Sequence, residues 1–135
     1  MFAVGHESWE SALGKLGPGG WVKALMERGN GIAGANPAHV EWIVREWSKT
    51  PTHVLQGLCR IVPGVDITPL LGQVRVPTLV LAPARSPISP LSEQVMIRDS
   101  IPGARIAVIE GRGHEIYVDD PDACIDAILR FVQAV

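Results

Sequence analysis

The sequence lacks the features that mark several specialised classes of protein. Only two of its 135 residues are cysteine, charged residues make up 19%, and the formal net charge is −2. No apolar run approaches the roughly 20 residues that a membrane-spanning helix needs, and no charged leader followed by a long hydrophobic region begins the chain. Lys and Arg are scattered rather than grouped in a basic block. We therefore expect a cytoplasmic globular protein with no nucleic-acid or membrane partner.

The cysteines and histidines show no pattern of a metal or cofactor site. Cys59 and Cys124 each lie within an apolar helical pattern, which favours two buried, reduced thiols over a disulfide. The histidines lack metal-ligand spacing, and no glycine-rich phosphate loop with its lysine follows a strand. We therefore expect neither a metal nor a cofactor.

A change of composition near residue 72 separates two regions that we expect to form one compact domain. Residues 1–72 are tryptophan-rich and broken by Gly and Pro, whereas residues 73–135 alternate strand and helix patterns. A chain of this length is typical of a single domain. The predicted fold class is α/β, with a helical, lid-like half followed by a β-α-β-α unit.

Start signals and apolar stripes predict the helices of the first region. The breaker Gly17-Pro18-Gly19-Gly20 predicts a short helix over 21–28 that ends at Gly29-Asn30-Gly31. Asn36-Pro37 and Thr50-Pro51 each combine a capping residue with a proline at the first helical position. The helices that follow carry apolar stripes, which predict buried faces formed by Val40, Ile43, Val44 and Trp47 and by Val54, Leu55, Leu58 and Val62.

The four tryptophans either pack helix on helix, which we favour for each, or line an apolar acyl pocket.

The second region has the order of a right-handed βαβ unit. Residues 78–82 form a continuous apolar run, which is typical of a strand covered on both faces in a parallel sheet. A crossover helix over 91–100 and a second strand over 105–109 follow. A last helix is predicted to start at Asp120-Pro121, and its buried face is predicted to contain Ile125, Ile128, Leu129 and Val132.

His114 is the strongest candidate for chemistry, because it ends the turn Gly111-Arg112-Gly113-His114 after the second predicted strand. Glycines permit positive φ and tight turns, and α/β proteins place reacting groups at the carboxyl ends of parallel strands. An imidazole there can transfer protons near neutral pH. Position alone leaves a surface-loop histidine without a role as an equal alternative.

Together these segments resemble an α/β-hydrolase, and in particular the oxoadipate enol-lactonase-like esterases and lactonases. The resemblance is carried by Val65-Asp66-Ile67-Thr68-Pro69-Leu70-Leu71, Val76-Pro77-Thr78-Leu79-Val80-Leu81, Ile101-Pro102-Gly103-Ala104, the Gly111–His114 turn and Pro121. It implies that His114 is the general base of a Ser-Asp-His triad acting on a small ester or lactone, and that the first region is a lid. It covers nearly all of this chain but only about the second half of the family's domain.

The chain departs from that triad at the acid and at the nucleophile. Ser86 stands where the family has its aspartate, and the loss of that carboxylate costs on the order of 10⁴ in turnover in serine triads. Glu93 or Asp119 would substitute only by meeting the second ring nitrogen of His114. No Gly-x-Ser-x-Gly nucleophile motif occurs, and Gly5-His6-Glu7-Ser8 has Glu7 at the serine's place. Ser86 is either a turn residue or one half of a serine–histidine dyad.

Two functional hypotheses follow from the resemblance. In the first, the chain is a hydrolase relative whose activity needs a partner chain or a missing amino-terminal half. In the second, it is a catalytically inactive interaction or dimerisation module, or a truncated remnant. A strand over 78–82 with one unpaired edge offers free N–H and C=O groups, so we expect a homodimer or a complementary chain to cover it.

Overall fold

The structure is a computed structural model that describes residues 2–28, 36–111 and 113–135. It divides into two compact units, Met1–Val65 (unit 1) and Asp66–Val135 (unit 2). The sequence placed the change between regions at residue 72; the short helix over Thr68–Leu71 instead belongs to unit 2, where it contacts the helix over Leu91–Ser100. In the part of the chain that is described, no helix has both the length and the apolar character to cross a membrane.

Unit 1 contains helices α1 (Trp9–Glu27), α2 (Pro37–Trp47) and α3 (Thr52–Ile61), followed by a 3-10 turn over Val62–Gly64. The predicted break is confirmed at Gly17, whose φ of 67° is a conformation that glycine adopts without steric cost. The predicted helix start at Trp21 is wrong. The part of α1 that follows the break at Gly17 already begins at Pro18, because the fixed φ of proline suits a first helical turn. The predicted helix end at Gly29-Asn30-Gly31 lies outside the described residues.

The starts of α2 and α3 differ in how well the sequence predicts them. Asn36 caps α2 as predicted, and its Oδ1 accepts a hydrogen bond from the N–H of Ala38 at 2.9 Å. Thr50 does not cap α3. The backbone of Pro51 is extended, with ψ of 134°, so the helix begins only at Thr52 and has no side-chain cap.

The core of unit 1 is built around stacked aromatic rings. Trp21 is 3% exposed, its ring stacks on that of Trp9 with centroids 5.7 Å apart, and its indole N–H donates to the carbonyl of Phe2 at 2.8 Å. Trp47 lies against Trp21 with centroids 5.3 Å apart. Helix-on-helix packing therefore describes these tryptophans, whereas Trp42 is 49% exposed.

The predicted buried face of α3 is wrong for most of its members. Val54, Leu58 and Val62 are exposed, while Cys59 is buried. The inward side of α3 combines apolar and polar residues. Leu55 and Cys59 pack into the core of unit 1, the side-chain amide of Gln56 donates to the carbonyl of Glu10 at 3.3 Å, and Arg60 pairs with the Glu10 carboxylate. The hydrogen bond from Arg60 lowers the pKa of Glu10, and its positive charge adds to that effect.

Unit 2 has the predicted order of strands and helices. It contains α4 (Thr68–Leu71), β1 (Leu79–Pro83), α5 (Leu91–Ser100), β2 (Arg105–Ile109), α6 (Ile116–Asp119) and α7 (Pro121–Val132). β1 and β2 are parallel, in a register that runs from Leu79 opposite Arg105 to Pro83 opposite Ile109. The predicted α/β class is therefore confirmed, and only the short helices α4 and α6 were not predicted.

Helix α7 starts as predicted but buries a different face. Asp120 accepts from the N–H of Ala123 at 3.0 Å, and Pro121 is the first helical residue. The buried residues are Cys124 and Ala127, which pack with Ile109 of β2, because small side chains let the helix lie close to the sheet. The side chains that were predicted to be buried are exposed: Ile125, Ile128, Leu129 and Val132.

One edge of β1 has no strand beside it in the part of the chain that the structure describes. The N–H of Arg105 donates to the carbonyl of Thr78 at 2.9 Å, and the N–H of Ala84 donates to the carbonyl of Ile109 at 3.0 Å. Successive residues of a strand direct their N–H and C=O groups to opposite edges. Thr78 and Ala84 direct these groups toward β2, so Leu79 and Leu81 direct theirs toward the edge of β1 that lies away from β2. We call this the free edge of β1.

Candidate active site

Ser86 and His114 meet where the two parallel strands end. Both strands end at the same side of the sheet, and the loops after Pro83 and Ile109 run next to each other. Ser86 Oγ lies 2.9 Å from Nδ1 of His114, although the residues are 28 apart in the sequence. Both side chains are half-buried. The two residues that the sequence singled out are therefore in direct contact.

Ser86 also shapes its own loop. Its Oγ accepts hydrogen bonds from the N–H of Ile88 at 3.1 Å and from the N–H of Ser89 at 2.9 Å. Such bonds from a side-chain oxygen to nearby N–H groups are typical of serine in turns. The turn role and the contact with His114 therefore belong to the same oxygen atom.

The turn that carries His114 is held by Asp119. Its Oδ2 accepts a hydrogen bond from the N–H of Gly113 at 3.2 Å, and a Cβ at position 111 would lie only 3.0 Å from the same oxygen. A larger residue at position 111 would therefore press on the Asp119 carboxylate, so Gly111 serves close approach rather than a positive φ. Asp119 is the last residue of α6, a short helix that nothing in the sequence indicated. Arg112 lies outside the described residues.

The other acid considered as a substitute for the missing carboxylate is Glu93, which hydrogen-bonds with Ser89. Glu93, in the first turn of α5, accepts from the hydroxyl of Ser89 at 3.5 Å. The Nδ1 atom of His114 faces Ser86 instead. A neutral hydroxyl thus occupies the place where a triad has its charge.

The layer beneath the site is apolar and includes a thiol. Ile109, Ile116 and Cys124 are each at most 6% exposed. Burial raises the pKa of the Cys124 thiol, and the negative charge of Asp120 raises it further. Cys124 is therefore a neutral core residue, and the prediction of two buried, reduced cysteines is confirmed for it and for Cys59.

The remaining motifs give no second site. Ser8 caps α1, since its Oγ accepts from the N–H of Ser11 at 3.0 Å, so Gly5-His6-Glu7-Ser8 is the entrance to a helix. Among residues 2–28, 36–111 and 113–135, no three His, Cys, Asp or Glu side chains cluster closely enough to hold a metal ion.

The comparison with protein families places most of the chain in an α/β-hydrolase family. The α/β-hydrolase family model described as TAP-like protein matches residues 46–134, which is more than half of the chain. The match includes both strands, Ser86 and His114. Among curated proteins, none matches this chain.

Solved structures of hydrolases are similar to this chain over about half of their own length. A hydrolase from Pseudomonas aeruginosa PA01 is 32% identical, with a TM-score of 0.65, and the alignment covers 96% of this chain and 46% of that protein. A thermophilic esterase from Thermogutta terrifontis is 23% identical, with a TM-score of 0.74, and the alignment covers 93% and 47%. At 23% identity the likeness to the esterase shows the fold alone. The predicted partial α/β-hydrolase fold is confirmed.

Proposed function

We propose that this chain, which belongs to the TAP-like family of α/β-hydrolases, carries the general-base part of an ester- or lactone-cleaving site. The observation that supports this most strongly is the 2.9 Å contact between Ser86 and His114 at the carboxyl ends of adjacent parallel strands. These are the positions of the acid and the base in the hydrolase triad that the sequence resembles. We assign the role of general base to His114.

The chemistry requires a hydroxyl nucleophile that this sequence does not offer in a recognisable motif. In acyl transfer the base takes the hydroxyl proton as the oxygen attacks the carbonyl, and later returns it to the leaving group. Since the solved hydrolases are about twice as long as the aligned segment, we propose that a complementary amino-terminal half supplies the nucleophile and the oxyanion hole. Small esters and lactones, as in the enol-lactonase-like enzymes, are the proposed substrates.

Two surfaces of unit 2 suit such a complement. The free edge of β1 offers the peptide groups of Leu79 and Leu81 to another strand. The exposed stripe of α7 supplies apolar area, with Ile128 43% and Leu129 52% exposed. A second copy of the chain is the other proposed occupant, and the two are distinguished by whether assembly needs the amino-terminal half.

Ser86 favours a second candidate function. A hydroxyl in place of a carboxylate cannot stabilise the imidazolium that forms during catalysis. With Ser86 at that position, the chain is alternatively a non-catalytic module that binds its partner through the β1 edge.

The test is hydrolysis of a nitrophenyl ester by this chain, alone and co-expressed with the amino-terminal half of a TAP-like hydrolase. The rate should appear on assembly and fall about 10²-fold in His114→Ala, the lower end of the range that general-base catalysis contributes, because Ser86 supplies no carboxylate. His53→Ala, on the exposed surface of α3, is the matched control for adventitious hydrolysis by histidine. Equal rates for wild type, His114→Ala and His53→Ala would reject catalysis by His114. The result would favour the second candidate, the non-catalytic interaction module.

A further inference from the structure

We propose that Ser86 holds His114 in the tautomer whose ring proton is on Nε2, which is the reverse of the tautomer that a general base needs. The proposal rests on the proposed function for its catalytic consequence, but the tautomer is a property of this chain. Ser86 acts here as a positioning residue through its hydroxyl.

The hydrogen-bonding capacity of the Ser86 hydroxyl determines what it can offer to His114. A hydroxyl has one O–H to donate and two lone pairs to accept with. The N–H groups of Ile88, at 3.1 Å, and Ser89, at 2.9 Å, both donate to Oγ and occupy those lone pairs. The O–H therefore remains for the third neighbour, Nδ1 of His114, at 2.9 Å.

The state of the imidazole follows from that assignment. In a neutral imidazole one ring nitrogen carries the proton and the other accepts. Since Nδ1 accepts from Ser86, the proton is on Nε2. In a Ser-His-Asp triad the arrangement is opposite, because Nδ1–H donates to the carboxylate and leaves Nε2 free to accept the nucleophile's proton. Serine at position 86 thus removes the charge and also leaves Nε2 free to accept only in the minor tautomer, which lowers the activity of His114 as a base without abolishing it.

An aspartate at position 86 is expected to reverse the tautomer without disrupting the loop. Its carboxylate only accepts, and its two oxygens offer about four lone-pair sites. Aspartate makes the same kind of turn as serine by accepting from N–H groups further along the chain. It can therefore keep the bonds from Ile88 and Ser89 and also accept from Nδ1–H of His114.

The measurement is a ring-nitrogen NMR spectrum of the ¹⁵N-labelled full chain, recorded at a pH where the imidazole is neutral. Protonated and unprotonated ring nitrogens are resolved, and His114 is assigned by the signals lost in His114→Gln. Wild type and Ser86→Thr, which keeps the hydroxyl, should show the proton on Nε2. Ser86→Asp should show it on Nδ1. Ser92→Asp adds the same charge at an exposed position of α5 and should match wild type.

Several results would overturn the proposal. They are a proton on Nδ1 in wild type, an unchanged spectrum in folded Ser86→Asp, or the same reversal in Ser92→Asp. If Ser86→Asp does not fold, Ser86→Ala decides the question, because loss of the hydroxyl should let both tautomers appear; a single unchanged tautomer would exclude Ser86 as the cause.

A second readout separates this proposal from the proposed function. With the complementary half present, Ser86→Asp should raise ester hydrolysis by up to about 10⁴-fold, the loss seen when a triad histidine is left in the wrong tautomer. The expected NMR reversal without any hydrolysis would support the tautomer and reject the catalytic role. Hydrolysis that depends on His114, without the NMR reversal, would reject the tautomer proposal and support the catalytic role of His114.

Discussion

The two units of the chain bury their apolar side chains in different ways. Unit 1 encloses large residues, with Leu13 fully buried and Trp21 only 3% exposed. In unit 2, α7 buries Cys124 and Ala127, while Ile125, Ile128, Leu129 and Val132 remain exposed. Each unit leaves an apolar helix face exposed, on α3 in unit 1 and on α7 in unit 2. Among the described residues, the unit that carries the Ser86–His114 contact is the one that also has a free strand edge. Unit 1 therefore encloses its largest side chains itself, whereas the proposed complement would cover the β1 edge and the exposed face of α7.

The largest effect is expected in the core of unit 1. Trp21→Ala removes a buried ring, its stacking on Trp9 and Trp47, and the hydrogen bond to Phe2. We expect it to lower the free energy of unfolding by about 3–5 kcal/mol. Trp42→Ala, at a 49% exposed position, should cost about 0.5 kcal/mol or less. Denaturant titration of both variants checks this, and similar losses would show that unit 1 has no distinct core.

The exposed face of α7 should matter for assembly more than for folding. Leu129 is 52% exposed, so Leu129→Ala should change the stability of the chain by about 0.5 kcal/mol or less. Its affinity for the complementary half should fall about tenfold, the effect of losing ~1.4 kcal/mol at an interface.

Sedimentation with and without that half measures the affinity, and Leu16→Ala, at a 39% exposed position of α1, is the matched control. A large loss of stability in Leu129→Ala would mean that α7 is covered within the chain, and the contrast between the units would fail.

The smallest expected effect concerns the pair that joins α1 to α3. The hydrogen bond from Arg60 lowers the pKa of Glu10 below its ordinary 4.5. A lowered pKa in the folded state gives stability that is present above 4.5 and is lost as the pH falls through the folded-state value. The Arg60 side chain is 67% exposed and that of Glu10 is 38% exposed, so water screens the pair and the effect should be slight.

The test is the difference in unfolding midpoint between wild type and Glu10→Gln, measured above and below pH 4.5. Both proteins share every other acid, so the difference reports on the Glu10–Arg60 pair. The wild-type advantage should shrink at the lower pH. Glu41→Gln, on the exposed side of α2, should show no such change, and a wild-type advantage that grows on acidification would contradict the assignment.

Local signals predicted the elements of this chain better than the faces that they bury. The caps at Asn36 and Asp120 and the strand over 105–109 follow from residue types and short patterns, which depend on neighbours in sequence. The buried face of α7 does not. Periodicity identifies an apolar stripe, but which stripe meets the sheet depends on side-chain size at Cys124 and Ala127 and on what else is present to cover the helix.

The site shows the same limit. The position of His114 after the second strand, and of Ser86 in the loop after the first, could be predicted from the order of elements. The direction of the hydrogen bond between them could not. It depends on the N–H groups of Ile88 and Ser89, which point at Ser86 only because the loop turns back on itself.

The most direct test of the incomplete sheet is amide hydrogen exchange along β1. Leu79 and Leu81 direct their N–H groups to the free edge, whereas Val80 and Ala82 direct theirs to β2. In the chain alone, Leu79 and Leu81 should exchange much faster than Val80 and Ala82, and they should become protected when the complementary half is added. Equal protection of all four amides in a monomer would contradict the account, because the edge would then already be paired.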